Sequence, residues 1–103
     1  MTENPNRVAI VTGGSKGIGA AIARRLAKDG IAVVVNYSRD AGPAEDVVHD
    51  IEADGGRAIA VAADIGSAYG LRSLFDAADK AFGGVDILIN NAGMMQLSPI
   101  ADV

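Results

Sequence analysis

The apolar positions change period several times along the chain. Arg7-Val8-Ala9-Ile10-Val11-Thr12 is a short, continuous apolar run rich in β-branched residues. Runs of that kind belong to strands buried on both faces. Glycines follow, and Ile18, Ile22 and Leu26 then recur at helical spacing. Gly30 stands where a helix C′ glycine belongs. Ile31-Ala32-Val33-Val34-Val35-Asn36 reads as a second strand. Pro43 is expected to open a second helix, because its missing N–H costs little in a first turn. Val47, Val48 and Ile51 would give that helix its buried stripe, and Gly55-Gly56 would stop it. Arg57 to Ala63 reads as a third strand, weaker because it is rich in Ala. Ser67 is a candidate N-cap. Leu71, Leu74, Phe75, Ala78 and Phe82 mark a third helix, closed by Gly83-Gly84. Val85-Asp86-Ile87-Leu88-Ile89-Asn90 is the fourth strand.

The order is β-α-β-α-β-α-β. Strands that alternate with helices of this length imply an α/β fold with a parallel sheet and helices on its faces. No internal linker or second domain interrupts the 103 residues, so one domain is expected. Cys is absent and there is one His, which excludes disulfides, thiolate metal sites and a thiol nucleophile. The 9 basic against 13 acidic residues leave a net charge of −4, which argues against nucleic acid as the partner. The longest strongly apolar run, Ile31 to Val35, is far short of a membrane span, and the polar start is unlike a secretory signal. A cytoplasmic protein is expected.

The candidate chemistry lies in Thr12-Gly13-Gly14-Ser15-Lys16-Gly17-Ile18-Gly19, between the first strand and the first helix. A phosphate there needs a tight turn, which Gly13 can supply. It needs close backbone approach, which Gly17 permits for want of a Cβ. It also needs helix N–H groups aimed outward, which the first turn after Gly17 provides. Gly19 is expected to let the helix sit close to the sheet. The competing reading is a Gly-rich turn with no ligand. The strand before it and the helix after it favour the phosphate reading.

The spacing G-x-x-x-G-x-G after Thr12 resembles that of the short-chain dehydrogenase/reductase family. Asn90-Asn91-Ala92-Gly93 reproduces that family's N-N-A-G after the fourth strand, and Asp64 matches its adenine-contacting acid. The likeness runs from Arg7 to about Pro99 and extends to the 3-oxoacyl-carrier-protein reductase-like members. It implies a Rossmann-like sheet of order 3-2-1-4 with helices on both faces, ending after strand four. Residues 1–103 would then be the amino-terminal part of a single dinucleotide-binding domain. The resemblance also implies that Gly14 belongs to the cofactor-binding loop and that the Ile18 backbone lies along the diphosphate. Asp64 and the Ile65 backbone would meet the adenine, and Asn90, Ala92 and Gly93 the ribose and the approach to the nicotinamide. A turn or capping acid is the competing role for Asp64.

NAD-selective sites usually place an acid at the end of the second strand. Here that position is Asn36, followed by Tyr37, Ser38 and Arg39, with no carboxylate before Asp40. A 2′-phosphate prefers Arg or Lys partners. The expected cofactor is therefore NADP(H) rather than NAD(H), with Ser15, Lys16, Ser38 and Arg39 around the 2′-phosphate. Ordinary solvated surface is the alternative for Lys16 and Arg39.

The family's chemistry is hydride transfer to or from a small carbonyl or alcohol substrate, with a Tyr-x-x-x-Lys pair as general acid. Tyr37 has Ala41 four residues on, and Tyr69 has Ser73, so neither forms the pair. No catalytic residue is assigned. The chain therefore reads as the cofactor half of such an oxidoreductase, whose substrate partner would need a complete chain. A non-catalytic nucleotide-binding module is the alternative. An S-adenosylmethionine-binding fold fits less well, because it usually carries an acid after strand two. In the implied order the third helix alone would cover one sheet face. Ile87, Leu88 and Ile89 would then lie on an exposed apolar edge, and a marginally stable chain prone to self-association is expected.

Overall fold

A computed structural model describes residues 7–91. Four strands, β1 (Val8–Val11), β2 (Ala32–Tyr37), β3 (Ala58–Ala62) and β4 (Ile87–Ile89), alternate with α1 (Gly17–Lys28), α2 (Ala41–Ala53) and α3 (Ala68–Phe82). The strands form one parallel sheet in the order β3-β2-β1-β4. Parallel neighbours require long crossovers, and each crossover here is a helix. The sheet is Rossmann-like, as the element order predicts.

Both faces of the central strands are covered, which is why β1 and β2 are apolar at nearly every position. On one face Val11, Val33 and Val35 pack with Ala20, Ala23 and Ala27 of α1 and with Ala44, Val47 and Ile51 of α2. On the other face Ile10 and Val34 meet Leu74 and Ala78 of α3. One helix thus covers what two cover opposite. Leu88 is 46% exposed, and Ile87 and Ile89 are half-buried.

Two expectations need correction, and α1 carries a buried stripe that the helical spacing of Ile18, Ile22 and Leu26 does not mark: the stripe is alanine. Ile22 and Leu26 flank the stripe and Ile18 is 65% exposed. Alanine brings the helix axis close to the sheet, so larger side chains are pushed to its margins. The second helix begins before Pro43, because Asp40 is its N-cap and accepts the Gly42 N–H at 3.1 Å. The second strand continues to Tyr37, which leaves Asn36 inside the sheet rather than at its rim.

The helix ends follow the sequence more closely. Gly30, Gly55 and Gly83 have φ near +87°, the left-handed conformation that ends a helix. Ser67 caps α3 by accepting the Gly70 N–H at 2.9 Å. His49 is exposed, and Arg24 bonds Asp50 at 2.8 Å on the outer surface where α1 meets α2. Exposed pairs of that kind contribute about 0–1 kcal/mol.

Candidate functional site

All four strands run the same way, so the segments after each of them gather at one end of the sheet. These are the glycine loop after β1, Ser38 and Arg39 after β2, Asp64 and Ile65 after β3, and Asn90 and Asn91 after β4. The chain leaves β1 for α1 on one face and β3 for α3 on the other. Helices departing to opposite faces open a crevice beyond the strand ends, which is where open α/β sheets bind ligands.

The glycine loop is held on two sides. From β4, the Ile89 carbonyl accepts the Thr12 N–H at 3.0 Å. The Thr12 hydroxyl is directed to that same carbonyl at 3.3 Å and to Asn90 Oδ1 at 3.2 Å. Asn91 Nδ2 donates to the Gly13 carbonyl at 3.1 Å. From β2, the Asn36 carbonyl accepts the Gly14 N–H at 3.0 Å and Asn36 Oδ1 accepts the Gly13 N–H at 3.3 Å. The loop is therefore a fixed element, set by hydrogen bonds to β2 and to the end of β4, 22 to 78 residues away in sequence.

The α1 terminus fits an anion. Its N-cap, Lys16, makes no side-chain capping bond, whereas Asp40 and Ser67 both cap their helices. Ala20 is the first residue whose N–H turns back into the helix, to the Lys16 carbonyl at 3.2 Å. The N–H groups of a helix's first turn have no intrahelical acceptor. Gly17 has a φ of +53° and nothing within 4 Å of the place a Cβ would take. Open space thus lies before the positive end of the helix dipole. Lys16, Gly17 and Ile18 are exposed and Ser15 is half-buried.

Gly19 acts differently from the expectation. A Cβ there would strike the Gly13 carbonyl and lie 2.6 Å from Asn91 Nδ2. Gly19 therefore brings the helix against its own entry loop and the β4 terminus, not against the sheet.

Asp64 is exposed, and its Oδ1 accepts the Gly66 N–H at 2.9 Å, so it does serve the turn. Its backbone is placed by α3. Ser67 N–H reaches the Asp64 carbonyl at 3.2 Å, and Gly70 lacks the Cβ that would collide with that carbonyl. The Ala63 N–H bonds the Tyr37 carbonyl at 3.0 Å, which holds the Asp64 segment beside the end of β2. Ile65 packs its side chain into the cluster under α3. Ser38 and Arg39 are exposed on the same rim. Ala92 and Gly93 lie outside the described residues.

Two residues in this arrangement escape a motif reading. Asn36 is a buried polar side chain in an apolar strand, and that mismatch was its only signal in the sequence. Gly70 has none, because its contact with Asp64 depends on the turn between β3 and α3. A cavity of about 520 Å³ lined by Arg24, Lys28, Asp50 and Arg57 lies elsewhere, at the opposite end of the sheet between the last turns of α1 and α2. No group of three or more potential metal-binding side chains occurs among the described residues. No helix among them is long and apolar enough to cross a membrane.

Comparison with known proteins agrees with this geometry. Residues 7–103 match the family described as short chain dehydrogenase. An uncharacterized oxidoreductase of Methylorubrum extorquens is 52% identical over 103 residues, covering 100% of this chain and 42% of that protein. A short-chain dehydrogenase/reductase homolog of Bacillus subtilis, YusS, is 42% identical over 98 residues, covering 95% of this chain and 90% of that one. A crystal structure of a dehydrogenase/reductase from Sinorhizobium meliloti superposes with a TM-score of 0.80 at 48% identity, over 82% of this chain and 34% of that one. The chain thus spans about two fifths of the first relative and nearly all of the second.

Proposed function

The chain belongs to the short chain dehydrogenase family, and from that membership we propose that residues 1–103 are the amino-terminal part of a single NADP(H)-binding domain. The whole protein would be an oxidoreductase acting on a small alcohol or carbonyl compound. The family binds a nicotinamide dinucleotide. When bound, the nicotinamide ring supplies or accepts the hydride.

This chain's own residues bind and orient. Gly13 and Gly14 hold the turn, and the N–H groups at Gly17, Ile18 and Gly19 face the diphosphate. Asp64 and the Ile65 backbone flank the adenine, and Asn90 with Ala92 and Gly93 leads toward the nicotinamide.

One observation carries the choice of NADP(H). β2 hands the chain directly to exposed Ser38 and Arg39, and the first carboxylate after them, Asp40, is engaged as the α2 cap. The segment that directly follows β2 thus offers no free acid to pair with a ribose 2′-hydroxyl. Arg39, with Lys16, Ser15 and Ser38, suits a 2′-phosphate instead.

Calorimetric titration of the chain and of Arg39→Ala with NADPH and NADH tests the reading. NADPH should bind more tightly. Arg39→Ala should weaken NADPH about five- to tenfold and leave NADH unchanged, the scale of a charge-assisted bond discounted for exposure. Tighter binding of NADH, or a ratio untouched by the substitution, refutes it.

A further inference from the structure

The buried polar side chains among the described residues are Thr12 and Asn36, and both hold the glycine turn. Thr12, which follows β1, ties the turn to Ile89 and Asn90 at the end of β4. Asn36, 3% exposed, approaches from β2 and reaches further. Its Nδ2 lies 3.3 Å from the Val61 carbonyl, 3.2 Å from the Ala63 carbonyl and 3.3 Å from the Tyr37 carbonyl. Its Oδ1 lies 3.3 Å from the Gly13 N–H. Three acceptors on one side and a donor on the other fix which amide atom is which. The side chain therefore spans from the end of β3 to the first glycine of the loop.

We propose that Asn36 is a positioning residue, whose buried amide ties Gly13 to the end of β3 and so sets the shape of the dinucleotide cradle without touching the ligand. The proposal rests on the dinucleotide reading for its consequence, though not for its geometry. A carboxylate at this position would keep the acceptor for Gly13 but turn an oxygen toward three carbonyls. Buried acceptors without donors are strongly disfavoured. An acid here could not turn to the ribose without abandoning Gly13, so this position holds the loop and leaves the 2′ substituent to Ser38 and Arg39.

Amide hydrogen exchange by NMR on the full chain tests this, with the Asn36 side-chain protons and the Gly13 N–H as reporters. Both should be protected in the wild type. In Asn36→Asp the Gly13 N–H should exchange at least about tenfold faster, while the N–H of Val33 on β2 keeps its rate. NADPH and NADH should weaken by the same factor, about fivefold or more, with their ratio preserved.

Unchanged Gly13 protection overturns the proposal. So does a gain in NADH affinity at the expense of NADPH, because it would place the side chain at the ribose. If Asn36→Asp does not fold, the wild-type side-chain protons decide. Exchange as fast as in a free asparagine amide overturns the proposal, and protection supports it. If the wild type binds neither dinucleotide, the ligand reading fails and the exchange of Gly13 and Asn36 still decides the positioning role.

Discussion

Replacing Gly19 with Ala tests whether the glycine loop is held by contact or merely by sequence habit. Gly19 lies in the first turn of α1. A Cβ added there would collide with the backbone carbonyl of Gly13 and stand 2.6 Å from Asn91 Nδ2. A backbone carbonyl cannot swing aside as the end of a long side chain can. The loop must move, and overpacking of this kind costs about 1–3 kcal/mol. Moving it also strains the Asn91 Nδ2 bond to Gly13, seen at 3.1 Å, which contributes about 1 kcal/mol. Alanine's better helix propensity returns up to about 1 kcal/mol. The balance is a loss of about 1–3 kcal/mol. With a urea slope of about 1.5 kcal/mol per M, the unfolding midpoint falls by about 0.7–2 M. Equilibrium unfolding followed by far-UV circular dichroism measures it. Gly17→Ala is the comparison. It meets open space and carries only the strain of a positive φ of +53°, about 1–2 kcal/mol. Its larger effect should be on dinucleotide affinity, where a methyl group would occupy the approach to the backbone. If Gly19→Ala is as stable as the wild type, or more so, propensity outweighs the clash and the close approach of α1 to its entry loop is wrong.

Two further outcomes follow from other contacts. Ser67→Ala removes the oxygen that accepts the Gly70 N–H at 2.9 Å, and should lower stability by about 1 kcal/mol in thermal unfolding. An unchanged Tm would mean that α3 needs no cap. Leu88, exposed on β4, should promote association of the chain through its apolar edge. Leu88→Lys should shift the sedimentation profile toward monomer at the same concentration, and an unaltered profile would place the contact elsewhere.

β1 and β2 were legible because burial on both faces leaves almost no polar position in them, as Val8–Val11 and Ala32–Val35 show. The helix ends were legible where a glycine such as Gly30 or Gly83 takes a left-handed conformation. The alanine stripe of α1 was hidden for a physical reason. Ala buries little area, so periodicity favours the larger Ile18, yet a close helix-to-sheet contact selects the smaller residue. The glycine loop and the two-sided crevice could be placed from the motif and its flanking elements. The side chains that fix the loop could not. Asn36 finds Gly13, Val61 and Ala63 at separations of 23, 25 and 27 residues, and only strand register brings them together. Pro43 misled because it fits a first helical turn, and Asp40, three residues earlier, is the cap.

β1 and β4 are joined by a clasp. The Val8 N–H donates to Asp86 Oδ2 at 2.8 Å, and the Asp86 N–H donates to the Val8 carbonyl at 2.8 Å. These partners stand 78 residues apart, so the opening strand must wait for a neighbour synthesised long after it. Pairings of such long range pay a large loop-closure entropy before they return any stability, and they slow folding. On the ribosome, β1 can acquire β2 early, but its other edge stays bare until Asp86 has emerged. The glycine loop, tied to Ile89 and Asn91 beyond that point, is therefore completed later still.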